Sequence, residues 1–285
     1  MDSTSLVAIA ILLFTGLFTY KGFRDYAFNE DYLFWVDPIL IDRDWKRMFT
    51  SGFLHGSWLH FGFNMIALLS FATMLELSLG PGKLLLIYFA SLLGGSLLSL
   101  YIHRHHGDYR ALGASGAVSG VVFASVILFP DGEIGLILIP DFGIKSWIFG
   151  LIYLAISIWG TKNFADSNIG HDAHLGGALV GIVLAPVLAP AFMDIHWWVF
   201  FLLLVPVLLF LILIIRNPAV LMVDGYWGEQ LSNWGKTTKG TRKKRKKGPS
   251  REEELNQLLQ KIRQQGLKSL SREERDRLDE LRDDL

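Results

Sequence analysis

Residues 113–120 read Gly-Ala-Ser-Gly-Ala-Val-Ser-Gly and open an apolar stretch that runs to about residue 130. Nothing in a bilayer calls for a serine set among glycines at the mouth of a hydrophobic helix. Far downstream a second apolar stretch opens with Ala173-His174-Leu175-Gly176-Gly177. A hydroxyl and an imidazole, each beside small residues and each near the start of a hydrophobic helix, are the parts of a nucleophile and its base. How the remaining chain is built around them decides whether they can act together.

The chain has 285 residues, of which 51% are apolar and only 19% charged, with 20 Phe and 9 Trp. That composition belongs to a polytopic membrane protein, not a soluble globule. Seven stretches, approximately 5–21, 54–76, 83–102, 113–130, 144–160, 173–193 and 197–215, reach or approach the length of a membrane helix. The expected fold is therefore all-α, with seven transmembrane helices. The first run, Leu6 to Tyr20, lacks a basic segment before it and a small-residue cleavage site after it, so it reads as a retained helix. Gly80-Pro81-Gly82 is a tight stop between helices, and Ile134 to Gly143 is an apolar connection that can dip into the interface. The absence of cysteine excludes disulfides and thiolate metal sites. His103, His105 and His106 fall in a loop and read as solvated, and there is no His-Glu-x-x-His. No metal or cofactor is expected.

After Arg216 the character changes. Residues 1–216 form the membrane domain, 217–249 a basic polar linker and 250–285 a soluble helical hairpin. The linker carries the basic run 239–247, which suits anionic lipid headgroups at about 1 kcal/mol per residue near the surface; nucleic acid is not expected. Ser250-Arg251-Glu252-Glu253 and Ser271-Arg272-Glu273-Glu274 each match a capping box. The hairpin offers its leucine stripes to a protein partner.

Helices two, four and six cross in the same direction, so their N-terminal ends share one membrane face. Ser115 is five residues past Arg110, roughly 8 Å if helical, and His174 is eight past Asp166, at most roughly 12 Å. With Ser57 as a cap, Asn64 lies seven residues into helix two, roughly 10 Å. Ser115, His174, His60 and Asn64 can therefore share one depth. A lone Gly-Ala-Ser-Gly in a membrane helix usually only packs, and a lone His or Asn is usually interhelical glue. Four such residues at one depth read differently. Gly116 with Gly120, and Gly177 with Gly181, are small-xxx-small pairs that let two helices approach. A neutral imidazole at His174 would take the proton of Ser115. His60 and Asn64, four apart, would present donors to an oxyanion together with the Ser115 backbone N–H.

These motifs resemble those of the rhomboid intramembrane serine proteases. The family's Gly-x-Ser-Gly appears as Gly113-Ala114-Ser115-Gly116. Its Ala-His-x-x-Gly-x-x-x-Gly appears as Ala173-His174 with Gly177 and Gly181. Its His-x-x-x-Asn appears as His60 and Asn64, preceded by His55. The resemblance covers roughly residues 5–193. It implies a six-helix core with a seventh helix added, a Ser115–His174 dyad without an acidic third member, and single-span membrane proteins as substrates. It also implies structural support from His55, Arg47 and Glu76, and Asp172 need not be catalytic. The short tail resembles those of some bacterial rhomboids and implies a bacterial cytoplasmic membrane. One position departs from the pattern. Many members carry a tyrosine one turn after the nucleophile, packed on the imidazole; here it is Ser119, so something else must orient His174.

Two further readings stay open from sequence: a non-catalytic rhomboid-like binder or escort of membrane proteins, and a transporter. The latter lacks an inverted repeat of broken helices. Of the 27 Lys and Arg residues, 25 lie on the side of the tail and only Lys83 and Lys145 on the other, which points to a cytoplasmic tail.

Overall fold

A computed structural model describes residues 4–136, 139–163 and 170–216, together with Lys261, Ser271, Glu274 and Leu278. Chain contacts divide the protein into two compact units, Met1–Leu231 and Ser232–Leu285. The first unit is helical. A helix occupies each of the seven apolar stretches: α1 (Leu6–Arg24), then α5 (Trp58–Leu79), α6 (Pro81–His103), α7 (Ser115–Leu128), α8 (Ser146–Asn163), α9 (His171–Leu188) and α10 (Met193–Arg216), with three short helices in the first loop. Five of the seven are long and apolar enough to cross a membrane alone; the shorter apolar segments are Ser115–Leu128 and Ser146–Thr161.

Local chemistry sets the ends of these helices. The Ser5 hydroxyl accepts from the Ala8 N–H at 2.9 Å and caps α1. Ser57 caps α5 by accepting from the His60 N–H at 3.1 Å. Gly80 ends α5 in the left-handed region, φ 82°, and Pro81 starts α6, where a missing N–H costs no hydrogen bond. Glu76, in the last turn of α5, reaches the start of α1. Its carboxylate accepts from the Ser5 hydroxyl and from the Val7 N–H at 3.2 Å. The negative charge there meets the positive end of the α1 dipole.

The 14-residue α7 is the centre of the unit. Every residue from Gly116 to Leu128 is buried. At about 21 Å it falls short of a ~30 Å hydrocarbon layer, which protein on all sides makes tolerable.

The first loop is folded rather than extended. It contains α2 (Tyr26–Tyr32), β1 (Phe34–Trp35), α3 (Val36–Leu40) and α4 (Arg47–Thr50). Phe34, Val36, Ile39 and Met48 form a small core with Leu100 of α6. Arg47 is buried there; its guanidinium donates to Asp44 at 2.9 Å and to the Leu33 carbonyl at 3.1 Å. Strand β1 pairs antiparallel with β2 (Arg110–Ala111), Phe34 opposite Ala111. The connection expected to dip into the interface is an antiparallel hairpin, β3 (Glu133–Leu136) with β4 (Ile139–Lys145).

In the second unit Ser271 and Glu274 form a reciprocal capping box. The Ser271 hydroxyl accepts from the Glu274 N–H at 3.2 Å, and the Glu274 carboxylate from the Ser271 N–H at 2.7 Å. Lys261 donates to both oxygens of that carboxylate, at 2.7 and 2.8 Å. The basic run 239–247 and the box at Ser250 lie outside the described residues.

Candidate active site

The site is built on a contact of α6, α7 and α9 in which backbone approaches backbone closely. A Cβ on Gly177 would lie 1.8 Å from the Gly116 carbonyl oxygen, and one on Gly181 would lie 2.1 Å from that of Gly120. On the other flank of α9, a Cβ on Gly176 would lie 2.5 Å from the Gly94 oxygen, and one on Gly95 of α6 would lie 2.7 Å from the Ala173 oxygen. Backbone thus meets backbone on two sides of α9. Ser115 and His174 flank this contact, since Gly116 packs against Ala173, its Cβ position 3.2 Å from the Ala173 oxygen. Both residues are partly buried and keep some access to solvent. Among the described residues no hydrogen bond joins the Ser115 hydroxyl to the His174 ring; such bonds are often loose without substrate and tighten when it binds.

Gly113 holds the entry to α7. Its φ of 137° lies in the region that favours glycine, and a Cβ there would sit 2.7 Å from Cε1 of His60. The His60 ring therefore lies against the turn that leads into Ser115. Ser115 is the first residue of α7, so its N–H has no carbonyl partner within the helix. Asn64, buried one turn beyond His60, donates one amide hydrogen to the His60 carbonyl at 2.9 Å, and the other has no hydrogen-bond partner among the described residues.

His55 fixes the same turn from behind. Its Nε2 accepts from the Ala114 N–H at 3.4 Å, so that nitrogen carries no proton. Nδ1 then donates to the Thr19 hydroxyl at 3.0 Å, and that hydroxyl donates to the Phe53 carbonyl at 3.1 Å. The ring is neutral by this network. Burial, and secondarily the nearby His60, hold its pKa down to about 3.

Residues whose importance the sequence did not reveal stand around this set. His103, expected in a solvated loop, is instead the buried last residue of α6. Its Nε2 lies 3.4 Å from the buried carboxylate of Asp172. Tyr109 stacks on the His103 ring, centroids 3.5 Å apart and planes at 4°. Burial, with Asp172 beside it, raises the Tyr109 hydroxyl well above its usual pKa. A histidine closing one helix and an aspartate opening another are legible one by one, but nothing in the sequence pairs them. Tyr153 of α8 reaches both Ser119 and His174. Its hydroxyl is 2.6 Å from Ser119 Oγ, and its ring centroid is 6.0 Å from that of His174. No group of three metal-ligating side chains occurs among the described residues.

Comparison with known proteins gives the chain's relatives. A family model described as a rhomboid domain matches residues 42–191, and one described as a family of unknown function (DUF6576) matches residues 242–282. The chain is 36% identical over 138 residues to Rhomboid protein 1, mitochondrial, of Saccharomyces cerevisiae, covering 47% of this chain and 39% of that protein. It is 31% identical over 152 residues to Rhomboid protease GluP of Bacillus subtilis, covering 53% and 28%. It is 32% identical over 152 residues to RHOMBOID-like protein 12, mitochondrial, of Arabidopsis thaliana, covering 48% and 44%. The matched part spans less than half the length of each of these relatives.

Proposed function

The chain belongs to the rhomboid family of multi-pass membrane proteins, and from that premise we propose that it is an intramembrane serine endopeptidase working through Ser115 and His174. The observation that carries this reading is the glycine contact between α7 and α9. It leaves Ser115 and His174 at the edges of one backbone-to-backbone approach, with His60 against Gly113 beside them.

His174 takes the proton of Ser115 Oγ as that oxygen attacks the scissile carbonyl. The C–O bond forms, and the carbonyl oxygen becomes an oxyanion. The Ser115 N–H, the His60 ring and the free Asn64 amide hydrogen supply its donors. Collapse breaks the C–N bond, and His174 protonates the departing amine. Water then hydrolyses the acyl-enzyme, with His174 again as base. The substrates are single-span membrane proteins. Gly113, Gly116, Gly120, Gly177 and Gly181 support the site by absence of side chain; His55, Arg47 and Glu76 support the elements that carry it. The basic run 239–247 binds anionic headgroups, the tail docks a protein partner, and the tail faces the cytoplasm of a bacterial cell. A topology reporter fused after Arg216 checks this last point: activity of a periplasmic reporter alone refutes it.

The decisive experiment is labelling with a fluorophosphonate in membranes. Wild type is expected to label and to cleave a single-span reporter, and Ser115→Ala to do neither. A wild type that neither labels nor cleaves defeats the protease reading and leaves a non-catalytic binder.

A further inference from the structure

A serine–histidine pair needs a group that fixes the imidazole, because a ring free to rotate presents its acceptor nitrogen only part of the time. Asp172, the nearest carboxylate in sequence, is engaged with His103. Two rings stand beside that of His174: His171, one turn before it on the same helix, with centroids 5.7 Å apart, and Tyr153, which comes from α8. The Tyr153 and His174 rings meet edge to face, at 69° with centroids 6.0 Å apart, the geometry that aromatic quadrupoles favour.

Tyr153 is itself held at both ends. Its ring packs against Phe123 of α7, centroids 5.5 Å apart, and Phe149 of α8, 6.1 Å apart. Its hydroxyl end carries a directional chain. The Ser119 hydroxyl donates to the Ser115 carbonyl at 2.8 Å, which uses its one hydrogen. The Tyr153 hydroxyl, 2.6 Å from Ser119 Oγ, must therefore be the donor in that bond. Ser119 is fully buried. The path runs from the backbone of the nucleophile through Ser119 to Tyr153, and from the ring of Tyr153 to the base.

We propose that Tyr153 is the positioning residue of the Ser115–His174 pair. Its ring sets the rotation of the imidazole, and its hydroxyl, through Ser119, keys that ring to the residue that attacks. The two reacting groups are thereby referenced to one rigid object on a third helix. This rests on the protease reading above. The small hydroxyl of Ser119, one turn after the nucleophile, leaves room for a tyrosine from α8 and gives it an acceptor. A tyrosine at 119 has no such room while Tyr153 stays, so Ser119→Tyr alone is expected to lose labelling.

The test uses the full chain in liposomes and follows reporter cleavage, fluorophosphonate labelling, the pH profile of kcat/KM and thermal unfolding. Tyr153→Leu removes ring and hydroxyl and is expected to lower kcat and the labelling rate about 10- to 100-fold. KM should stay within about threefold, and the acid limb of the profile should move because the surroundings of the imidazole change. Tyr153→Phe keeps the ring and should lose less, about three- to tenfold. The relocation variant Ser119→Tyr with Tyr153→Ser restores a ring from the other helix and should exceed Tyr153→Ser alone by about fivefold or more. The inference is overturned if Tyr153→Leu keeps kcat and the acid limb within twofold of wild type. It is also overturned if Tyr153→Phe loses as much as Tyr153→Leu and the relocation recovers nothing. These last comparisons decide the matter should Tyr153→Leu fail to fold. An active wild type with an indifferent Tyr153 sinks this inference alone; an inactive wild type sinks the protease reading beneath it.

Discussion

Substituting Gly177 by alanine tests whether the site depends on helix separation. The added Cβ would lie 1.8 Å from the Gly116 carbonyl oxygen, whereas ordinary contact begins at 3.4 Å. The two backbones must therefore part by about 1.6 Å along that line. Helix α9 has little freedom to retreat, because Gly176 already stands against the Gly94 oxygen of α6. The displacement falls between the neighbour of Ser115 and a residue one turn from His174, and misplacing reacting groups by about 1 Å costs about 100-fold. That loss corresponds to about 2.7 kcal/mol of transition-state stabilisation. Gly116→Ala is the graded control, since its Cβ would meet the Ala173 oxygen at 3.2 Å and needs only a few tenths of an ångström. Gly82→Ala is the neutral one, with nothing within 4 Å. Labelling rate and thermal unfolding are measured together for all three in liposomes. The expected order of loss is Gly177→Ala, then Gly116→Ala, with Gly82→Ala unchanged. A folded Gly177→Ala that labels at the wild-type rate, or a Gly116→Ala that is worse, refutes the claim that this contact sets the geometry.

Three other outcomes follow from the structure. Glu76→Ala removes the acceptor for Ser5 and Val7 and should lower stability by about 1–3 kcal/mol, read as a lower unfolding temperature, with kcat near wild type because Glu76 is twelve residues, about 18 Å, along α5 from Asn64. His55 has a folded pKa depressed to about 3, so its contribution is complete above the usual imidazole value of about 6.5 and is lost as pH falls from there toward 3. Acid unfolding curves should show that decline, and His55→Gln, which cannot take the proton, should flatten it. Asp172→Ala leaves the buried His103 without its carboxylate; hydrogen exchange should rise in residues 104–111, and an unchanged exchange pattern would mean that the pair does not hold that loop.

The seven apolar stretches were legible because burial in lipid demands runs of apolar residues and leaves no other reading. A shared depth for Ser115, His60, Asn64 and His174 is what a fixed rise per residue and alternate helices running the same way lead one to expect; the structure sets the His60 ring against Gly113 and Gly116 against Ala173. The glycine spacing showed that close approach was allowed, but not which carbonyl each glycine would face. What escaped reading are contacts fixed by helix rotation. Tyr153 is one aromatic residue among many in an apolar helix, and its hydroxyl finds Ser119 only once α7 and α8 are packed. The His103–Asp172 pair joins residues 69 apart. The pairing of Phe34–Trp35 with Arg110–Ala111 joins two loops whose sequences carry no shared signal.

Asp172 and His174 show why proximity in sequence misleads here. Two residues apart on a helix, they point about 200° from each other. With His174 turned toward Tyr153 of α8, the carboxylate is necessarily turned elsewhere, and it meets His103 of α6. An acidic third member would have to come from a position three or four residues from His174, or from another helix. Here Gly170, His171, Gly177 and Ala178 occupy those positions on α9 and its approach. Gly177 cannot be exchanged for a carboxylate without forcing α7 away, since even a single carbon there overlaps the Gly116 oxygen. The requirement for close helix contact thus narrows the places from which an acid could reach the base. On the proposed reading, orientation is left to packing, and a ring anchored on a third helix meets that need without placing a further charge in the apolar layer.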